Sequence, residues 1–190
     1  MSSPSPTAAV LARYPVGGHI PADIARAAVL AVLRDRGDEP EVLLIRRTER
    51  VGDRASGQIG LPGGGYDPAD TGLEETAVRE SREEVGLGPE DFATPPRFVR
   101  IGWAFASRLP IAIFAAPLSV TARAPRIASP EEIAGIFWMP RSVLARRERV
   151  PERTEAGVRD VDATVYEGHV VWGFTRNALL DLFALRPGTG

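Results

Sequence analysis

Glu80, Glu83 and Glu84 stand three and four positions apart. On an α-helix that spacing puts them on one side, with neighbouring Cβ atoms about 5–6 Å apart. Like charges held so close weaken an isolated helix by roughly 0.2–0.5 kcal/mol per pair, so something should compensate. Hard carboxylate oxygens meeting at one spot suit Mg²⁺ or Mn²⁺. Taken alone, such acids more often form a solvated face, here with Arg79 and Arg82 interleaved. Upstream runs Pro62-Gly63-Gly64-Gly65. Glycines let a ligand approach the backbone closely, and such a turn can aim amides and carbonyls at a metal-bound phosphate. A triple glycine is a weak signal by itself. The turn, a spaced loop, a capped helix and Arg79-Glu80-x-x-Glu83-Glu84-x-Gly86 together form a far more specific constellation.

These residues need a scaffold. Thr71-Gly72-Leu73-Glu74 matches a capping box, which predicts a helix with Thr71 as N-cap. Leu73, Ala77, Ser81 and Val85 give that helix one small or apolar face. Gly86 and Gly88-Pro89 end it. Apolar runs at 27–33 and 41–47 predict a strand hairpin, 49–57 a loop, and 58–61 a short strand entering the glycine turn. Residues 98–105, 111–118, 133–138 and 161–166 read as further strands. Pro140 opens a short helix through 147, 148–160 reads as charged loop, and 171–185 carries helical spacing. Residues 1–21 read as an N-terminal arm with room for one helical turn, 22–186 as the domain and 187–190 as a flexible tail. Strands outnumber helices, and one glycine-bounded helix follows the third strand, which predicts a mixed α/β fold with helices on both faces of the sheet.

Composition narrows the function classes. The chain has 190 residues, 44% hydrophobic and 25% charged, which suits one soluble domain. A net charge of -2 gives no bulk attraction to nucleic acid or to an anionic membrane. The absence of cysteine excludes disulfides, thiolate metal sites and a cysteine nucleophile. All 23 basic residues are arginine, which excludes a Schiff-base or phosphate-loop lysine. The start lacks a secretory pattern, and the longest apolar stretch, 109–120, contains two prolines and is too short to span a bilayer. A cytoplasmic protein is expected.

The box resembles the Nudix hydrolase signature: Gly, five residues, Glu, seven residues, then Arg-Glu, an apolar residue, any residue, Glu-Glu, any residue, Gly and an apolar residue. Here it reads Gly65, then Arg79-Glu80-Ser81-Arg82-Glu83-Glu84-Val85-Gly86-Leu87. Thr71 stands where the first glutamate belongs, a structural carboxylate that Asp70 or Glu74 could replace, and Ser81 replaces an apolar residue. The resemblance implies an α/β/α sandwich with a mixed sheet between helices. It implies Mg²⁺ or Mn²⁺ held by Glu80 and Glu84, with Glu83 assisting and Gly64 or Gly65 adding a carbonyl. Arg79 completes the catalytic set as an orienting group. Glu84, Glu131 and Glu132 are all candidates for the general base.

Leu43-Leu44-Ile45-Arg46-Arg47-Thr48 and Gly57-Gln58-Ile59-Gly60-Leu61-Pro62-Gly63-Gly64 are similar to the coenzyme A pyrophosphatase branch. That implies cleavage of coenzyme A or an acyl-CoA to 3′,5′-ADP and phosphopantetheine. Ala55 departs from the branch, which has histidine there. ADP-ribose, a dinucleotide or a nucleoside triphosphate therefore stays open as substrate, as does a non-catalytic nucleotide-binding module. Arg47 first, then Arg46, are the expected phosphate contacts, with Gln58, Gly63 and Gly65 lining the substrate; Arg50 and Arg54 are nearby candidates. Trp103, Phe105 and Trp138 could stack on a base but are more often core, and His19 and His169 are isolated. The expected partner is a small-molecule diphosphate, and the sequence leaves room for a homodimer.

Overall fold

The computed structural model describes residues 4–16, 20, 23–50, 52, 55–104, 109–154 and 157–186. His19, Arg54, Phe105 and the 187–190 tail lie outside the described residues. The apolar run at 27–33 becomes the first half of β1 (Ala27–Arg36), a central strand buried on both faces. It pairs antiparallel with β2 (Glu39–Arg47), across a turn at Gly37, and parallel with β6 (Leu109–Pro117). Such two-sided burial explains why β1 reads as continuous rather than alternating hydrophobicity. β5 (Arg97–Ala104) adds to β6, and β7 (Ile133–Pro140) to β2. β3 (Ile59–Gly60) pairs with β2, and β4 (Gly63–Gly65) with β1, giving a seven-stranded mixed sheet.

The two faces of β1 set the layers. Ala28, Leu30 and Val32 pack with Leu43, Ala112 and Phe114 under helix α2 (Leu73–Val85). Val29, Ala31 and Leu33 pack under α1 (Pro6–Leu11) and α3 (Gly173–Leu182). The expected α/β/α sandwich is therefore present. Leu73, Ala77, Ser81 and Val85 are all fully buried, as their spacing predicts. Gly86, at φ +73°, takes the left-handed conformation that closes α2, donating its N–H to Arg82 O.

At several places the structure differs from, or adds to, what the sequence predicts. The N-cap of α2 is Gly72, not Thr71; the Thr71 N–H and hydroxyl both donate to Glu75 instead, at 2.7 and 2.6 Å. Residues 148–160 are not loop: β8 (Glu148–Thr154) and most of β9 (Gly157–Tyr166) form a hairpin, joined by β10 (His169–Trp172) in a second, three-stranded sheet. Its solvated face carries the charges that hid the strands. The helical run begins only at Gly173, where a φ of +57° turns β10 into α3, and ends at Leu182. After Pro140 the backbone makes a short 3-10 turn, Arg141–Ala145. Of the segment read as an arm, residues 5–16 dock against the domain. Val10 and Leu11 are buried, Asp35 accepts the Thr7 N–H at 2.7 Å, and the Tyr14 hydroxyl donates to Leu182 O at 2.9 Å.

Candidate active site

Pro62-Gly63-Gly64-Gly65 is not a free turn. Gly63, Gly64 and Gly65 pair in register with Val29, Ala28 and Ala27. This pairing lays the glycine backbone beside α2. At Gly63, φ is +154°, and a Cβ would lie 2.3 Å from Ala28 O, so no other residue fits. At Gly64 a Cβ would lie 2.6 Å from the Glu80 carboxyl group. Glycine thus lets the first acid of the box rest directly on the backbone.

Glu84, one turn on, is 1% exposed and accepts the Gly63 N–H at 2.9 Å. Burial first, then the charges of Glu80 and Glu132, push its carboxyl up to about 7, against the opposing pull of the Gly63 N–H and of Arg47. Burial also raises Glu80, aided by Glu83 and Glu132 and opposed by Arg79. Glu83 is different: its side chain is 56% exposed and bonds Arg79 Nη1 at 3.2 Å. The three carboxylates therefore do not form the single cluster that their spacing suggests. Among the described residues no three acidic or histidine side chains converge closely enough to hold an ion. Glu80 and Glu84 face the glycine strand while Glu83 stays on the rim, bonded to Arg79. Two carboxylates sunk against bare backbone, with a third negative charge nearby, still make a hard-oxygen donor set with excess negative charge. A divalent cation is the group that such a set fits.

The opposite wall comes from β2 and the loop before β7. Arg46 pairs in register with Ile59 and Gly135, and its side chain lies against Gly135. The Arg47 N–H donates to Gln58 O at 3.0 Å, which joins β2 to the strand leading into the glycines. Thr48 N–H then donates to Glu132 O at 2.7 Å, and Ala128 N–H to Glu84 O at 3.0 Å. The loop carrying Glu132 is thereby strapped both to the end of β2 and to the end of α2. The sequence left Glu131 and Glu132 equivalent, and the structure separates them. The Glu131 carboxylate accepts from Ser129 Oγ at 2.8 Å within its own loop, whereas the charge of Glu132 acts on both Glu80 and Glu84. Nothing local distinguishes two adjacent glutamates; only the loop's attachments do.

The remaining candidates have surroundings of their own. The Arg50 guanidinium donates to Glu131 O. Trp138 lies under the Arg34 guanidinium, 4.1 Å from its ring centre, and Trp103 is half exposed on β5. His169 stacks on Phe137 at 4.1 Å, a packing role. No helix among the described residues is long and apolar enough to cross a membrane.

Comparison with known proteins agrees with this geometry. The NUDIX domain model matches residues 24–161. An uncharacterized Nudix hydrolase, NudL, of Yersinia enterocolitica is 30% identical over 166 residues, covering 86% of this chain and 82% of that protein. The MutT protein of Methanosarcina mazei superposes with a TM-score of 0.54 at 17% identity, over 85% of this chain and 94% of the other. A MutT/nudix family protein of Enterococcus faecalis gives 0.55 at 15% identity, over 90% and 64%. At such identities the two structures attest the fold, while the domain match and the NudL likeness attest the family. With its glutamate helix set against a glycine strand in a Nudix sandwich, the chain belongs to the Nudix family and is a pyrophosphohydrolase.

Proposed function

We propose that the enzyme hydrolyses the diphosphate bond of coenzyme A or an acyl-CoA, releasing 3′,5′-ADP and phosphopantetheine. The observation that carries this reading is the joint placement of two segments. The Arg46-Arg47 end of β2 is bonded to Gln58, and Gln58 leads through Pro62 into the glycine strand that supports Glu80 and Glu84. These are the stretches whose sequence is similar to the coenzyme A pyrophosphatase branch. The substrate is a small molecule, with neither nucleic acid nor membrane as partner, and the cytoplasm is its place of action.

In this reading Glu80 and Glu84 hold the metal, Glu83 assists from the rim, and Gly64 offers a backbone oxygen. Bound Mg²⁺ or Mn²⁺ supplies neutralisation of the phosphoryl charge and a more acidic attacking water. Arg47 and Arg46 bind and orient the diphosphate, since arginine meets phosphate oxygens in pairs. Gly63, Gly65 and Gln58 line its path. Glu132, fixed by its strapped loop, accepts the proton of the attacking water. Arg79 orients Glu80.

Ala55 favours a second reading, in which ADP-ribose, a dinucleotide or a nucleoside triphosphate is the substrate. The test is a panel of these compounds with purified protein and Mg²⁺ or Mn²⁺, with Glu84→Gln as control. Coenzyme A turned over fastest, with phosphopantetheine released, is the expected result. No phosphopantetheine from coenzyme A under either metal rejects the first reading and leaves the second.

A further inference from the structure

Arg176, in the first turn of α3, is 9% exposed. Its one hydrogen bond among the described residues runs from Nε to the neutral Thr164 hydroxyl, at 3.1 Å. Nη1 and Nη2 have no partner there. A buried cation without a carboxylate is costly, and burial pulls this guanidinium down from its usual pKa. The neighbouring acid, Asp162, is already engaged. Arg147 Nη2 bonds its Oδ2 at 2.7 Å, and Arg149 Nη1 lies 3.7 Å from its Oδ1. The Arg147 hydrogen bond first, then the charges of Arg147, Arg149 and Arg176, hold the Asp162 carboxyl below the usual range. Tyr166 packs into the core under α3 and Thr164 meets Arg176, so alternation turns Asp162 and its register partner Arg149 to that same side. Further out on this face Arg153 and Asp160 offset one another. Three guanidinium groups therefore share one carboxylate, which leaves an excess of positive charge around a buried arginine.

This cluster stands on the same side of the main sheet as Arg46. Val42 and Leu44 belong to the core under α3, so alternation along β2 points Arg46 that way too. Arg46 pairs in register with Ile59, and Thr175, the residue before Arg176, donates its hydroxyl to Ile59 O at 3.0 Å. One strand residue and one helix residue thus separate the arginine assigned to the diphosphate from the buried one. Packed layers stand about 10 Å apart, a gap that two arginine side chains and one ribose between them can bridge. The 3′,5′-ADP half of coenzyme A has such a ribose. It carries the diphosphate on its 5′ oxygen and a phosphate monoester on its 3′ oxygen, with a charge of about -1.5 to -2 at pH 7. Guanidinium groups meet such a group through paired, charge-assisted bonds.

We propose that Arg176, Arg147 and Arg149 form a second anion site, which takes the 3′-phosphate of the substrate and selects coenzyme A over nucleotides that lack this group. The proposal rests on the coenzyme A reading given above. It is tested on the full chain with Mg²⁺ or Mn²⁺ by comparing kcat/KM for coenzyme A and for dephospho-coenzyme A, which has a hydroxyl at the 3′ position. Charge-assisted bonds to the phosphate favour coenzyme A by about 10- to 100-fold in wild type. In Arg147→Gln, and in Arg176→Gln where circular dichroism shows it folded, that preference shrinks by about tenfold. Arg147 is exposed, which keeps the test open should the buried Arg176→Gln fail to fold. A wild-type preference under about fivefold, or one that shrinks by less than about threefold in Arg147→Gln, overturns the proposal and leaves coenzyme A hydrolysis standing. If coenzyme A is not hydrolysed at all, the substrate reading fails, and the site is judged by calorimetry of adenosine 3′,5′-bisphosphate and AMP. Binding of the bisphosphate about tenfold tighter than AMP, lost in Arg147→Gln, upholds a site for a ribose 3′-phosphate. Equal binding of the two, or an effect of Arg147→Gln on inorganic phosphate alone, overturns it.

Discussion

Replacing Glu84 by glutamine keeps the shape of the side chain and an acceptor for the Gly63 N–H, but removes the group whose ionisation burial resists. In the metal-free protein the Glu84 carboxyl titrates at about 7, against 4.5 when unperturbed. At 1.36 kcal/mol per pKa unit, the difference amounts to about 3 kcal/mol. Because the folded value is the higher one, this contribution is fully present below 4.5 and is lost as pH rises through about 7. Glu80 is raised as well and adds a loss of the same sign. Metal-free wild type therefore grows less stable from pH 5 to pH 8, and Glu84→Gln shows a flatter profile. For a chain of this length, one kcal/mol corresponds to about 2–4 °C in Tm. In EDTA the two proteins melt together near pH 5, and by pH 8 the variant melts roughly 5–10 °C higher. Adding millimolar Mn²⁺ at pH 8 raises the Tm of wild type and leaves the variant nearly unmoved. Parallel melting profiles of the two proteins in EDTA across this pH range would refute the account of Glu84 as a buried acid waiting for a cation.

The two glycines beside it should respond in opposite ways. Gly64→Ala meets only the end of the Glu80 side chain, so Tm stays within about 2 °C while Mn²⁺ affinity falls about tenfold or more, read by titration. Gly63→Ala collides with β1 backbone at a φ of +154°, so it lowers stability by several kcal/mol, seen as poor refolding and early urea unfolding. Arg47→Gln should raise KM for the diphosphate substrate by about tenfold and leave Tm within about 2 °C. Asp91 caps Gly88 and pairs with Arg123, whose guanidinium first of all holds its carboxyl down at about 2, against 3.8 unperturbed. Its contribution is present above 3.8 and is lost as pH falls through about 2. Asp91→Ala should therefore lower Tm by roughly 5 °C at pH 7 and have no effect on Mn²⁺ binding.

Part of the site was legible locally. The four-residue spacing of Leu73, Ala77, Ser81 and Val85 fixes which side of α2 faces the sheet, and hence that Glu80 and Glu84 lie near one another. The strand hairpins of the hidden second sheet were not legible, because a half-exposed strand such as Glu148–Thr154 can carry charge at most positions and still pair.

By itself, the sequence determined most strands of the larger sheet, the buried stripe of the helix and, through its likeness to a known signature, the family of its chemistry. The strands and the stripe follow from side-chain type and from periodicities within a few residues. Tertiary structure decided the rest: that Gly63–Gly65 is a strand against β1, that Glu83 turns to the rim, that the loop of Glu132 is tied to β2 and α2, and that Asp70 takes up Arg79. Periodicity reports which face is buried. It carries no record of which of two adjacent polar groups meets a partner on another element, since that depends on where hydrogen bonds from a distant strand or loop can reach.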